Sequence, residues 1–162
     1  MQHCFPPVTR ADTRLLLLGS LPGAVSLAQQ RYYAHPRNQF WRLAGAVIGR
    51  ELVPLAYEAR LEALLEAGVG LWDTVAAASR EGSLDQNIEL HAASDLAGLA
   101  ATLPALRAVG FNGGKAASIG RPQLRELPRL ALIDLPSSSP AYTIPFEEKL
   151  ERWLALRRFL DR

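Results

Sequence analysis

Two asparagines and a group of aromatic rings are the residues most able to do chemistry here. The stretch "YYAHPRNQFWRL", residues 32 to 43, sets Tyr32, Tyr33, Phe40 and Trp41 around His35 and Asn38 without a clean helical or strand period. Flat rings can stack on a nucleobase turned out of a helix, and a carboxamide offers a donor and an acceptor at fixed spacing. Each also has a plain reading. Pro36 disfavours helix at His35, so Asn38 stands where an N-cap belongs, and Phe40 and Trp41 open a buried helix, with Trp41 the clearest core ring. His35 suits a hydrogen bond at the approach to that helix better than a phosphate contact.

Further polar groups lie at the ends of apolar runs. Asn112, in "FNGG", can form a turn before Gly113 or read the edge of a base. The segment "LPSSSPAYT" offers the hydroxyls of Ser137, Ser138 and Ser139, stiffened by Pro136 and Pro140, with Ala141 and Tyr142 at its tip. It reads as a surface loop, or as a phosphate clamp with a side chain that enters the gap left by a flipped base. The turn "GSLPG" (Gly19, Ser20, Leu21, Pro22, Gly23) could bring backbone amides to an anion, or simply join a strand to a helix. It has neither P-loop spacing nor the dinucleotide fingerprint, and Ser20 lacks the flanking glycines of a nucleophile elbow.

These groups need a frame that brings them to one place. Residues 14 to 20 form a continuous apolar run ended by Gly19, as in a strand buried on both faces. Two helical patterns follow: Phe40, Leu43, Ala44 and Val47 recur at helical spacing, and a second pattern runs from 54 to 67, with Pro54 suited to its first turn. Residues 69 to 75 read as a second strand, followed by the polar loop "SREGSLDQN". A helix capped by Ser94 or Asp95 precedes Pro104, "RAVGFNGG" and "RLALIDLPSSSP" supply two more strands, and residues 146 to 160 close the chain as an amphipathic helix. Alternating strands and helices predict an α/β fold, a three-layer αβα sandwich around a mainly parallel four-stranded sheet. Ligands bind beyond the carboxyl ends of such strands, and all the unusual sequence falls on that edge.

Composition narrows the function. The 162 residues match one compact domain, 1–162, large enough to bury a core without staples. No apolar run approaches a membrane span and no leader pattern is present, which predicts a soluble, cytoplasmic protein. Cys4 is the only cysteine, excluding an internal disulfide and a four-thiolate iron–sulfur site. The net charge is +2, and the basic side is almost wholly arginine, with lysine only at 115 and 149. Arginine suits phosphate but equally follows from a GC-rich genome.

Taken in order, "LLLGSLPGAVSLAQQRYYAHPRNQFWRL", "LWDTV", "EGSLDQNI", "FNGGKAA" and "DLPSSSPAYT" resemble the hypoxanthine-DNA glycosylase branch of the uracil-DNA glycosylase superfamily, over about residues 15 to 153. The resemblance implies a DNA repair enzyme, nucleoid-associated when on DNA, that hydrolyses the N-glycosidic bond of deoxyinosine and leaves an abasic site. It implies catalytic roles for Asn38 and Asn112, Asn38 holding the attacking water and Asn112 meeting the base edge. Phe40 would stack on the base, Gly19 to Gly23 would line its pocket, and residues 137 to 142 would hold DNA. Leu21 stands where the mismatch-specific uracil branch has its catalytic asparagine, and Leu135 where other branches place histidine or asparagine, so uracil recognition in the usual manner is lost. Asp73 or Asp85 could favour a cationic sugar. Neither lysine falls on a matching catalytic position, which implies a monofunctional enzyme without metal or organic cofactor, acting as a monomer. Alternatives are a mismatch-specific uracil or xanthine enzyme, a non-catalytic nucleic-acid binder of the same fold, and a small hydrolase of free nucleosides or esters.

Overall fold

The computed structural model describes residues 2–80, 84 and 88–161. Its strands are β1 (Gln2–His3), β2 (Leu15–Gly19), β3 (Val69–Asp73), β4 (Val75–Arg80), β5 (Ile88–Ala93), β6 (Ala108–Asn112) and β7 (Ala131–Leu135). Its α-helices are α1 (Ala24–Gln29), α2 (Phe40–Ile48), α3 (Tyr57–Glu66), α4 (Leu96–Ala101), α5 (Gly114–Leu124) and α6 (Phe146–Leu154), and α6 runs on into a 3-10 turn, Ala155–Phe159.

Strand β2 explains the layering. Its leucines are all buried, and they alternate in direction because strand side chains point to opposite faces. Leu15 and Leu17 pack with Phe40, Leu43, Val47, Leu64, Trp153 and Leu156, which come from α2, α3, α6 and the turn after α6. Leu16 and Leu18 pack with Leu96, Ala100, Ala116, Ala117 and Leu124 from α4 and α5. Each fully buried leucine contributes roughly 1.5–3 kcal/mol of transfer free energy, which is why this run must lie inside a sandwich. The main sheet has the order β3-β2-β6-β7, and its strands are parallel throughout. The αβα fold read from the sequence is therefore the fold of the chain.

Several local expectations change. The segment after β3 carries β4 and β5, an antiparallel pair to which β1 adds an edge, where the sequence suggested only the end of the second strand and a polar loop over residues 79 to 87. Alanines outnumber β-branched residues in both strands, and pairing supplies what propensity does not. Residues 114 to 124 form α5, although Gly114, Gly120 and Pro122 are all poor helix formers. Packing overrides propensity there, since a Cβ at Gly120 would stand 2.5 Å from the Phe111 ring. Helix α3 begins at Tyr57 after Ala56, three residues beyond Pro54. Helix α1, which ends at Gln30 in the left-handed region, is too short for periodicity to reveal. Asp95 caps α4 by accepting from the Gly98 N–H at 3.0 Å.

Candidate active site

The parallel sheet delivers its carboxyl ends to one cavity. Gly19 pairs in register with Asp73, and Asn112 with Leu135, so β3, β2 and β6 end side by side on a carboxylate, a bare glycine and a carboxamide. The cavity above them is about 430 Å³, within the size range of small-molecule sites. Asn38, Asn112, Gly19 to Gly23 and residues 137 to 142 all line it, together with Tyr33, His35 and Asp73.

Phe40 does not line it. Its side chain is 0 % exposed, because it belongs to the buried stripe of α2 and is covered by Tyr33. The two rings lie 3.8 Å apart and 5° from parallel, and Tyr33 presents the outer face to the cavity. The expectation that Phe40 stacks on a base is therefore corrected: the ring offered for stacking is Tyr33, with Phe40 behind it and Trp41 edge-on to both. Tyr33 holds a left-handed backbone, φ 52°, a conformation that costs a bulky residue on the order of 1–3 kcal/mol. Neighbouring bonds hold it there. The Trp41 Nε1–H donates to the Tyr33 carbonyl at 3.1 Å, and the Ala34 N–H donates to Ser26 Oγ at 3.0 Å.

The N-cap of α2 is Gln39, not Asn38 as the sequence suggested; from one position earlier Asn38 Oδ1 accepts the Phe40 N–H at 2.9 Å, so its carboxamide still satisfies one open donor of the first turn. That bond also decides which end of the carboxamide is oxygen and fixes its direction, and a carbonyl oxygen keeps a second lone pair. His35 Nδ1 accepts the Arg37 N–H at 3.1 Å, which fits the helix-approach role.

Asn112 is 7 % exposed and turned toward the serine loop. Its Oδ1 accepts the Ser138 N–H at 2.8 Å, and its Nδ2 donates to Ser138 Oγ at 2.9 Å and lies 3.4 Å from the Tyr33 hydroxyl. Ser138 is thus 1 % exposed, and its hydroxyl faces inward, so it is not a phosphate contact as the sequence suggested. Its carbonyl accepts the Gln39 N–H at 3.0 Å, tying the loop to α2. Ser137 Oγ and Ser139 Oγ accept from the N–H groups of Ser139 and Ala141, compact turns that leave Pro140, Ala141 and Tyr142 exposed at the tip. Beneath the loop, Lys149 is 1 % exposed and donates to the Ser139 carbonyl at 3.2 Å, with its ammonium 5.5 Å from the centre of the Tyr142 ring.

Burial shapes the titrating groups. It pushes the Tyr32 phenol far up, with the Asp73 charge adding to the effect, and it pulls the Lys149 ammonium below its ordinary value. No group of His, Cys, Asp and Glu able to hold a metal ion occurs among the described residues. Asp73 is 3 % exposed on the inner wall, whereas Asp85 lies outside the described residues.

The family model for the uracil DNA glycosylase superfamily matches residues 6–159. The chain belongs to the uracil DNA glycosylase superfamily. It is similar to a hypoxanthine DNA glycosylase of Methanosarcina acetivorans, 42 % identical over 154 residues that cover 95 % of this chain and 96 % of the relative. A hypoxanthine DNA glycosylase of Methanosarcina barkeri is 46 % identical over 111 residues, 68 % of this chain and 70 % of the relative. Among solved structures, a solution NMR structure of a candidate uracil DNA glycosylase from Methanosarcina acetivorans superposes with a TM-score of 0.89 at 40 % identity, covering 99 % of each chain. Leu21 and Leu135, at the positions that the resemblance gives to polar groups in other branches, are buried here at 6 % and 4 % exposure.

Proposed function

We propose that the chain is a monofunctional DNA glycosylase that hydrolyses hypoxanthine from deoxyinosine and leaves an abasic site. The observation that carries this reading is a carboxamide held by its own helix, Asn38, in the same cavity as the flat face of Tyr33. Two relatives named for this activity, one matching over nearly the whole chain, support the choice of base. The family match across residues 6–159 supports a single domain of this kind. Every group named comes from one chain, which supports action as a monomer.

The flipped base lies on Tyr33, backed by Phe40, and the glycosidic bond faces Asn38. A water held by the free lone pair of Asn38 Oδ1 adds to the anomeric carbon as the bond to the purine breaks and its electron pair leaves with the base, and the proton that the water sheds passes through solvent to the departing purine. An amide is a poor base, so positioning and electrostatics supply the rate. The exposed tip at Ala141 and Tyr142 fills the gap left in the duplex, while Ser137 and Ser139 stand beside the flanking phosphates. Neither Lys115 nor Lys149 lines the cavity, which supports hydrolysis without an amine–sugar adduct. No step calls for a metal or organic cofactor.

The test incubates the protein with end-labelled duplexes carrying one deoxyinosine or one deoxyuridine, then cleaves abasic sites with alkali. Cleavage at inosine is expected. Cleavage at uracil alone would keep the superfamily and overturn the substrate, and tight binding without cleavage of either would make the domain a binder.

A further inference from the structure

The inner wall of the cavity carries a pattern that neither the relatives' names nor the sequence explains. Asp73, Gly19 and Asn112 end three neighbouring strands. Strand spacing puts the outer two on the order of 10 Å apart at Cα. Gly19 leaves the space between them open. A Cβ on Gly19 would stand 2.7 Å from Asp73 Oδ1 and 3.1 Å from the Tyr33 hydroxyl, so the carboxylate and the phenol converge over the glycine. The same hydroxyl lies 3.4 Å from Asn112 Nδ2. The hydroxyl end of Tyr33 therefore marks where the far edge of a base stacked on that ring comes to rest. At that point an acceptor stands on one side and donors on the other.

An ionised carboxylate only accepts hydrogen bonds, and a carboxamide nitrogen only donates. The base edge that complements this pair is a lactam, a carbonyl next to a ring N–H. Deamination creates that edge: hypoxanthine shows it at C6 and N1, where adenine shows an amino group and a bare ring nitrogen. A bare nitrogen against a carboxylate places two lone pairs face to face in a site with little water, which is costly. We propose that Asp73 is a specificity-determining residue, which accepts the ring N–H of the deaminated base while the adjacent carbonyl meets the Asn112 and Tyr33 donors. This inference rests on the glycosylase reading above and names the chemical class of its substrate, the lactam edge. It also accounts for Gly19, since any side chain there would displace the carboxylate.

The experiment compares wild type with Asp73→Leu, which is close in size and has no acceptor, in single-turnover excision from duplexes carrying deoxyinosine, 1-methyl-deoxyinosine or deoxynebularine. The second keeps the carbonyl and lacks the N–H, and the third lacks both. The readout is the ratio of wild-type to variant rate on each base, which cancels differences in leaving ability. A site built around a hydrogen bond rejects a mismatched partner strongly, so a ratio of about 100-fold or more is expected on deoxyinosine and near unity on the other two. An equal fall on all three bases would overturn the proposal, placing the charge on the sugar or the fold, as would no fall on deoxyinosine. Wild type alone supplies a second measurement that does not depend on the variant folding: equal rates on deoxyinosine and 1-methyl-deoxyinosine would also overturn it. If wild type cleaves nothing, the glycosylase reading fails separately. Affinity for the same duplexes then decides, with preference for the N–H base, lost in Asp73→Leu, supporting the proposal and its absence refuting it.

Discussion

Asn38 makes one bond in this structure and carries one proposed role, and they can be separated. Its Oδ1 satisfies an open donor of the first turn of α2, the Phe40 N–H at 2.9 Å, and the remaining lone pair is the one proposed to hold water. Asn38→Ala removes both. Loss of a cap costs about 1 kcal/mol, which for a chain of this length lowers the melting temperature by about 2–4 °C. Loss of one positioned hydrogen-bonding group in a water-excluded site costs about 100- to 1000-fold in rate, or about 2.7–4 kcal/mol. Asn38→Ser divides the two, because serine caps as well as asparagine but its hydroxyl is shorter than the carboxamide. The serine variant is expected to melt within about 1 °C of wild type. It is also expected to lose nearly as much rate as the alanine variant. Circular-dichroism melts and single-turnover excision from a deoxyinosine duplex measure the two effects side by side. A serine variant that keeps its rate within about 10-fold of wild type, a loss of no more than about 1.4 kcal/mol, would reduce Asn38 to a cap and refute the water-holding role.

Replacing Tyr33 tests the stacking correction: Tyr33→Leu should raise the enzyme concentration for half-maximal single-turnover rate by about 5- to 150-fold, the worth of one base–aromatic stack. Tyr33→Phe keeps the ring and gives up the hydroxyl, which lies 3.4 Å from Asn112 Nδ2 and is assigned above to the base carbonyl, so it should lose clearly less than Tyr33→Leu; equal losses in both variants would count against stacking. For Lys149, burial lowers the pKa from the ordinary 10.5, so between the lowered value and 10.5 the unfolded chain holds a proton that the folded chain has released. Stability then rises with pH across that window. Melts of wild type should gain on Lys149→Met as pH climbs from neutral toward 10.5, and a gap that is flat or moves the other way would contradict the desolvation of Lys149.

The sheet and its carboxyl edge were legible because they rest on burial. An unbroken leucine run such as 15 to 18 has few stable places other than a strand covered on both sides. Less legible was the orientation of individual rings. The spacing of Phe40 with Leu43, Ala44 and Val47 already assigned it to the buried stripe of α2, and a ring cannot serve that stripe and a ligand at once. Tyr33 faces the cavity because of one left-handed φ held by Trp41 and Ser26, a tertiary arrangement that no local pattern encodes. Helix α5 was hidden for a related reason, its glycines and proline being tolerated only through contact with Phe111 and its neighbours. Lys149 did leave a trace. It sits three residues after Phe146 and four before Trp153, on the apolar face of the closing helix, where a cation needs an explanation.

That explanation also separates the residues that hold the site from those that meet the substrate. Asn112 commits its oxygen and one amide hydrogen to Ser138, Gln39 holds the Ser138 carbonyl, and Lys149 holds the carbonyl of Ser139. Three elements, the end of β6, the start of α2 and the start of α6, thus clamp consecutive residues of one loop. A loop so fixed presents Ala141 and Tyr142 without first paying to order them, which favours binding to a distorted duplex. The second amide hydrogen of Asn112 is directed at the Tyr33 hydroxyl, so on the proposed reading it offers a base a single donor and not the paired donor and acceptor of a free carboxamide. That reading therefore takes its acceptor from elsewhere on the wall, and of the strand ends gathered there Asp73 is the one that brings a carboxylate.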